Sequence, residues 1–231
     1  MNKAILPGDP PLELTLRRSP RTRRFSLRVS RVDGRVTLSL PDWAPEAEAL
    51  AFAREKAGWI RDVLSRRPAS APPADWDSLP LLGQTVPIRY APGRAVRLAE
   101  GALVLPEAAR AAPGPRIAAF LKLAARDRIG PAADSFAATL GRPYRDLALR
   151  DTRSRWGSCS SDGRLMFSWR LMMAPPEVLD YVVAHEVAHL AEMNHSPAFW
   201  AVCERLFPDY RRQRAWLTRN GQRLQSIRFD G

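Results

Sequence analysis

The stretch His185-Glu186-Val187-Ala188-His189-Leu190-Ala191-Glu192-Met193-Asn194-His195 holds all three histidines of a 231-residue chain. It opens inside an apolar run with Val178, Leu179, Val182, Val183, Val187 and Leu190. That pattern predicts a buried helix, along which residues advance by about 100° each. His185 and His189 then leave one face a turn apart, with Glu186 on the flank. Left unpartnered in a buried helix, such groups would each carry a desolvation penalty on the order of several kcal/mol. A shared metal ion removes that penalty. Two imidazoles at this spacing suit a tetrahedral zinc ion, and the flanking carboxylate reaches a water in an open coordination position. The run therefore implies Zn2+ as the cofactor and hydrolysis as the chemistry, with Glu186 as general base.

A third ligand needs a turn in the chain. Were the helix to continue, His195 would lie about 240° beyond His189 and point away from the metal. Asn194 tolerates the left-handed conformation that ends helices, and Ser196-Pro197 reads as an N-cap followed by proline at the first position of a new helix. His195 is thus expected in a helix-to-helix corner, turned back toward His185 and His189. Beyond Glu192 the acids are Glu204, Asp209 and Asp230. His195 is favoured over Glu204 as the third ligand.

Metzincin proteases also place histidines at positions one, five and eleven of such a run. Two departures separate this chain from them. Their turn glycine is Glu192 here, and no methionine follows His195, so their methionine turn cannot form.

Three further segments carry a closer likeness: Arg155-Trp156-Gly157-Ser158-Cys159-Ser160, Trp169-Arg170-Leu171-Met172-Met173-Ala174-Pro175-Pro176, and Asn194-His195-Ser196-Pro197-Ala198-Phe199-Trp200. Together with the histidine run they resemble the YgjP-like zinc metallopeptidase family, which is similar in layout to the SprT and Wss-type zinc proteases. The likeness runs from about Arg21 to Leu224 and is densest from Asp151 to Trp216. It implies an α+β, zincin-like metallopeptidase domain with an HExxH helix, zinc ligands at His185, His189 and His195, and a catalytic glutamate at Glu186. The implied substrate is a protein or peptide of unspecified identity.

Composition bounds the remaining possibilities. Hydrophobic residues make up 45% of the chain, enough for one large or two small cores. No run approaches 18 apolar residues, and Met1 to Arg18 lacks a signal-peptide core, so a cytoplasmic protein without a membrane span is expected. Cys159 and Cys203 are too few for a disulfide framework. They read as packed residues, with Cys159 as an alternative zinc ligand or inhibitor. The net charge is +12, and of 36 basic residues three are lysine (Lys3, Lys56, Lys122). Arg17, Arg18, Arg21, Arg23, Arg24, Arg28, Arg31 and Arg35 crowd one region. Such a patch permits nucleic acid as a partner without requiring it, since excess charge also serves solubility. The sequence leaves the oligomeric state open.

Residues 1–106 read as a mainly β module with one helix, and residues 115–231 as the metallopeptidase domain. Phe25–Ser30 and Arg35–Leu40 alternate around Asp33-Gly34, predicting a hairpin. Ala44–Arg67 reads as a single helix with Ala49, Phe52, Ala53, Trp59, Ile60 and Val63 on its apolar stripe. Pro68–Pro73 reads as a linker. Strands are expected near Thr85–Tyr90, Ala95–Leu98 and Ala102–Leu105. Pro106–Pro115 is the expected boundary, followed by a helix over Arg116–Leu140 that Gly130-Pro131 kinks or splits. An antiparallel hairpin is expected next, pairing Asp146–Thr152 with Arg164–Arg170 and holding Trp-Gly-Ser-Cys in its turn. Its edge offers a place for an extended peptide substrate.

Two other readings fit the same residues: a DNA-associated protease acting on DNA-bound proteins, and a zinc-binding scaffold without turnover. For oxyanion stabilisation the candidates are Tyr210, Tyr181, Asn194 and Arg155, and Glu192 is a candidate for orienting an imidazole.

Overall fold

The computed structural model describes residues 2–30, 34–65, 76–152 and 154–229. The architecture is α+β, and the chain divides into two compact units, Met1–Ser70 and Ala71–Gly231.

In the first unit, β1 (Asn2–Leu6), β2 (Leu12–Arg18), β3 (Ser26–Val29) and β4 (Val36–Leu40) form a sheet in the order β1-β2-β4-β3. β2 and β4 run parallel, while β1 and β3 pair antiparallel with them. Leu12, Leu14 and Leu16 alternate along β2, as Val36, Leu38 and Leu40 do along β4, so one face is apolar. That face packs with Ala49, Ala53 and Ile60 of the helices α1 (Glu46–Glu55) and α2 (Ala57–Ser65). The expected hairpin is present as β3 and β4, and Asp33 of its turn lies outside the described residues. The single helix expected over Ala44–Arg67 is instead two, broken at Lys56, whose ψ of 5° leaves the helical region. Trp59 correspondingly leaves the apolar stripe and is 48% exposed beside fully buried Ile60.

The second unit begins with β5 (Ser78–Leu81), β6 (Gln84–Ala91), β7 (Arg97–Ala99) and β8 (Ala102–Pro106), ordered β5-β6-β8-β7. Every residue of β8 is buried. A 3-10 turn at Glu107–Ala109 then leads directly into α3 (Pro113–Leu140). The boundary expected at 106–115 therefore falls inside this unit: Leu79, Leu103 and Leu105 share one core with Ile117, Leu121, Phe167 and Val183. The prolines that read as a breaker instead start a helix, with Pro113 in its first turn, where its missing N–H costs nothing. The expected linker Pro68–Pro73 lies outside the described residues. α3 is not split at Pro131, whose ring faces solvent while Ile117, Leu121, Ala125, Ile129, Ala133 and Ala137 hold both halves to the core. Gly141, at φ 72°, closes the helix in the left-handed conformation.

β9 (Asp146–Arg150), β10 (Gly157–Cys159) and β11 (Arg164–Ser168) follow, ordered β10-β11-β9. Here the expected hairpin is corrected. β9 runs parallel to β11, and the antiparallel partner of β11 is β10, the Gly-Ser-Cys segment expected to be a turn. A 3-10 turn over Trp169–Met173 connects the sheet to α4 (Pro176–Ala188), α5 (Pro197–Leu206) and α6 (Tyr210–Ser226). Within that turn Arg170 is fully buried, paired with Asp151 at 2.6 Å and donating to the carbonyls of Leu224 and Ile227. No described helix is long and apolar enough to cross a membrane.

Candidate metal centre

α4 is apolar on nearly all sides, with Val178, Leu179, Val182, Val183, Ala184 and Val187 buried, which suits a helix enclosed by neighbours. It packs against α3, α5, α6, β10 and the Trp169–Met173 turn. Pro176 in its first turn and Glu177 beside it favour the start. The helix ends at Ala188, so His189 is its cap residue, still in right-handed conformation. Tight turns follow, in which Leu190 N–H donates to Val187 and the N–H groups of Ala191 and Glu192 donate to Ala188. The left-handed Asn194 expected from the sequence is absent, since among the described non-glycine residues positive φ occurs at Leu82 and Glu100. Asn194 turns the chain by its side chain instead: its Oδ1 accepts from Ser196 N–H at 3.0 Å. Ser196 caps α5, accepting from Phe199 N–H at 3.4 Å, and Pro197 opens that helix.

This corner brings His195 back to the helix. The ligand atoms of His185, His189 and His195 all lie within 4.8 Å of one another, and His185 Nε2 and His195 Nε2 are 3.1 Å apart. Nδ1 of His189 sits 2.9 Å from the Glu192 carbonyl oxygen. If Nδ1 donates there, the Nε2 lone pair is left for a metal. The Glu192 backbone, not its carboxylate, thus orients the ring. Glu204 is paired with Arg211 at 2.7 Å and takes no part in the cluster. Burial, followed by the neighbouring imidazoles His189 and His195 and by Arg214, lowers the His185 pKa to about 3. Burial lowers His189 too. Neutral imidazoles with converging lone pairs are the donor set that suits zinc, so the residues present fit that ion.

Beneath the three rings lies Phe199, which is fully buried. Its centroid is 4.9 Å from His185, 4.7 Å from His195, and 4.4 Å from His189, with which it stacks. Trp200 flanks His185 and His195 at 5.8 and 5.7 Å. Sequence reasoning placed both aromatics in a motif without giving them a role. Their signal was the position of Phe199, four residues after His195 and inside the new helix.

Glu186 is 7% exposed and faces β10. There Gly157 comes so close that an added Cβ would stand 2.5 Å from Glu186 Cγ and 2.7 Å from Oε1. The backbone N–H of Cys159 donates to the carboxylate. Burial pushes the Glu186 pKa up to about 8, against the opposing pull of Arg155 and this hydrogen bond. Cys159 stands outside the histidine cluster, and its thiol is pushed up to about 11 by burial, Glu186 and Asp162, which disfavours the ligating thiolate.

Of the four oxyanion candidates, Tyr181 packs its ring edge against His185 at 5.8 Å, and Tyr210 stacks on Trp200 at 5.1 Å. Asn194 has its carbonyl oxygen occupied by Ser196, while Arg155 is exposed and close enough to influence Glu186. One cation escaped the sequence reading. Arg214 of α6 lies over the Trp200 ring at 4.6 Å and acts on His185.

A solved structure, the metallopeptidase zymogen of Pyrococcus abyssi abylysin, is similar to this chain at 20% identity. The match covers 39% of this chain and 93% of that one, at a TM-score of 0.36, which carries no argument about the fold. No curated protein matches the chain. The YgjP-like metallopeptidase domain matches residues 23–220, and with most of the chain inside that match this protein belongs to the YgjP-like metallopeptidase family.

Proposed function

We propose that the protein is a zinc peptidase in which His185, His189 and His195 hold the metal and Glu186 is the general base. The observation that carries this reading is the convergence of three imidazoles over Phe199, with the adjacent carboxylate buried against Gly157. Among the described residues no cysteine or carboxylate joins the three histidines, which favours an open catalytic site over a closed structural one. Zinc, when bound, supplies Lewis acidity toward a water and toward the scissile carbonyl.

The chain's own residues supply the rest. Glu186 accepts a proton at its carboxylate from the attacking water and passes it to the leaving amine nitrogen as the C–N bond breaks. Its pKa, raised by burial, makes it a stronger base than a solvated glutamate. A dication held by the neighbouring imidazoles would act in the opposite direction. Arg155 and the Cys159 N–H favour the ionised carboxylate, opposing in part the burial that raises its pKa. β10 is an edge strand of its sheet and lies against Glu186, so a substrate strand added beside it would present its backbone near the base.

The test compares wild type with Glu186→Gln on a denatured protein substrate, with zinc measured in both. We expect equal zinc content and hydrolysis reduced by about 10²–10⁴-fold, the usual worth of a general base. Unchanged turnover in the variant would remove Glu186 from the mechanism, and a wild type that binds zinc without turnover would favour the scaffold reading.

A further inference from the structure

Residues 12–40 carry eight arginines and no lysine, against Glu13 and Asp33 as the only acids. The topology of the first unit gathers most of them at one end of its sheet. β2 and β4 run parallel with Arg18 opposite Leu40, so both strands finish at that end. β3 begins there, since Ser26 pairs with Ser39 in the antiparallel sense. The segment 19–25, with Arg21, Arg23 and Arg24, must therefore cross the end of β4, and Ser19 N–H is bonded to the Leu40 carbonyl. At the same end the chain leaves β4 through Pro41-Asp42-Trp43-Ala44.

Trp43 is 78% exposed, although indole is among the largest apolar side chains. Its exposure is held in place. Arg18 Nη1 donates to the carbonyls of Asp42 at 3.0 Å and Ala44 at 2.9 Å, bracketing Trp43 and fixing the turn that displays it. The crossing segment is also anchored, because Phe25 packs on Phe52 with ring centroids 6.0 Å apart. Arg17, Arg21, Arg23 and Arg24 are exposed, and none makes an ion pair with a described residue. Glu13 lies toward the opposite end of β2 and is paired with Lys3 at 2.8 Å. Asp42, Glu46 and Glu48 are the acids near Trp43, the last two in the first turn of α1, where the helix dipole favours them.

We propose that this end of the sheet binds single-stranded nucleic acid, with a base stacked on Trp43 and phosphates held by Arg17, Arg21, Arg23 and Arg24. Guanidinium groups fit phosphate oxygens as planar forks, which accounts for the use of arginine throughout. A displayed indole needs an unstacked base face, which a single strand offers and an intact duplex does not. A membrane surface fits less well. The other large apolar side chains exposed among the described residues of this unit lie elsewhere: Ile5, 70% exposed, is opposite Glu13 toward the other end, and Trp59, 48% exposed, is two residues from Arg61, which donates to the Pro10 carbonyl in the β1–β2 connection at that other end. The surface belongs wholly to the first unit, and the proposal does not depend on the peptidase reading.

The test measures binding of the full chain to short labelled oligothymidylate and oligouridylate, to a matched duplex, and to vesicles containing phosphatidylserine. The DNA and RNA arms identify which strand is preferred, and binding of either supports the proposal. Single strands should bind more tightly than the duplex, with affinity falling steeply between about 50 and 200 mM salt. Trp43→Ala should weaken binding about tenfold or more, and Trp43→Phe should retain most of it. Replacing Arg21, Arg23 and Arg24 together by alanine should lower the salt slope by about 2, as expected for three lost phosphate contacts on a single strand. All these side chains are exposed, so melting temperatures should not move. Absence of binding at low salt, binding indifferent to these variants, or retention by vesicles in place of oligonucleotides would overturn the proposal.

Discussion

Gly157 and Glu186 fit together so closely that no side chain can occupy position 157: a Cβ there would stand 2.5 Å from Glu186 Cγ and 2.8 Å from Cδ. The demand for glycine comes from this approach and not from backbone conformation, since Gly157 is absent from the positive-φ glycines. Gly157→Ala must move either the carboxylate or β10. Displacements of about 1 Å at a reacting group can cost on the order of 10²-fold in rate. We expect that loss in kcat/KM with zinc content unchanged, and a stability loss of about 1–3 kcal/mol from overpacking. Activity equal to wild type would show that Glu186 need not stay where Gly157 holds it.

Zinc should stabilise the folded protein by binding it in preference to the unfolded chain. With free zinc at about 100 times its dissociation constant, the gain is roughly 2.7 kcal/mol. A chelator should lower the melting temperature, and added zinc should restore it. His195 is exposed, whereas His189 is buried. His195→Ala should therefore abolish the zinc-dependent rise while leaving the metal-free stability within about 0.5 kcal/mol. A variant that still gains stability from zinc to the wild-type extent would exclude His195 as a ligand.

The parts of this site that were legible in the sequence share a physical cause. Histidine is rare here, and helical periodicity fixes which side chains leave together, so His185, Glu186 and His189 could be placed within one helical turn, which the structure puts at the end of α4 and its cap. The return of His195 was legible through Ser196-Pro197, although Asn194 makes the turn with its side chain rather than a left-handed backbone. Strand pairing was not legible. Alternation in 164–168 defines two faces but names no partner, and β10 is three residues long with glycine and serine, a composition that also suits a turn. The roles of Gly157 and Phe199 depend on neighbours distant in sequence, which no local pattern encodes.

The division after residue 70 carries its own prediction. The first unit's core, built on Leu14, Leu38 and Ile60, is distinct from the core around α4, which includes the sheet β5–β8. Residues 71–231 should fold alone, melt cooperatively and bind zinc. A fragment starting at 115, where the sequence suggested a boundary, would lose buried Leu79, Leu81, Leu103 and Leu105 and should fail to melt cooperatively. Calorimetry of both fragments decides the point, and a cooperative transition in the shorter one would contradict it.

Arg170 is a fully buried cation of the larger unit, and its surroundings fix what its loss should do. It is fully buried between Trp169 and Phe229, each centred 5.0 Å from the guanidinium. Nε and Nη2 reach the two oxygens of Asp151 at 2.6 and 3.3 Å, and Nη1 reaches the carbonyl oxygens of Ile227 at 2.6 Å and Leu224 at 3.3 Å. Arg170→Met keeps much of the stem's packing but removes every donor. Two carbonyls at the end of α6 lose a partner, while Asp151, 40% exposed, can turn to water. The expected loss is on the order of 3 kcal/mol, toward the lower end for a broken buried pair because one partner is hydrated. It should appear as a lower denaturant midpoint and as earlier proteolysis after residue 226. Arg170→Lys keeps the charge without the fork and should recover less than half of the loss. Trp156 packs against Gly221 of α6, with its Nε1 3.0 Å from where a Cβ would lie, and its carbonyl accepts from Ser168 N–H at 2.8 Å, so a shift at Arg170 has two routes to β10. An unchanged midpoint in Arg170→Met would mean that the aromatic stacking alone holds the end of α6.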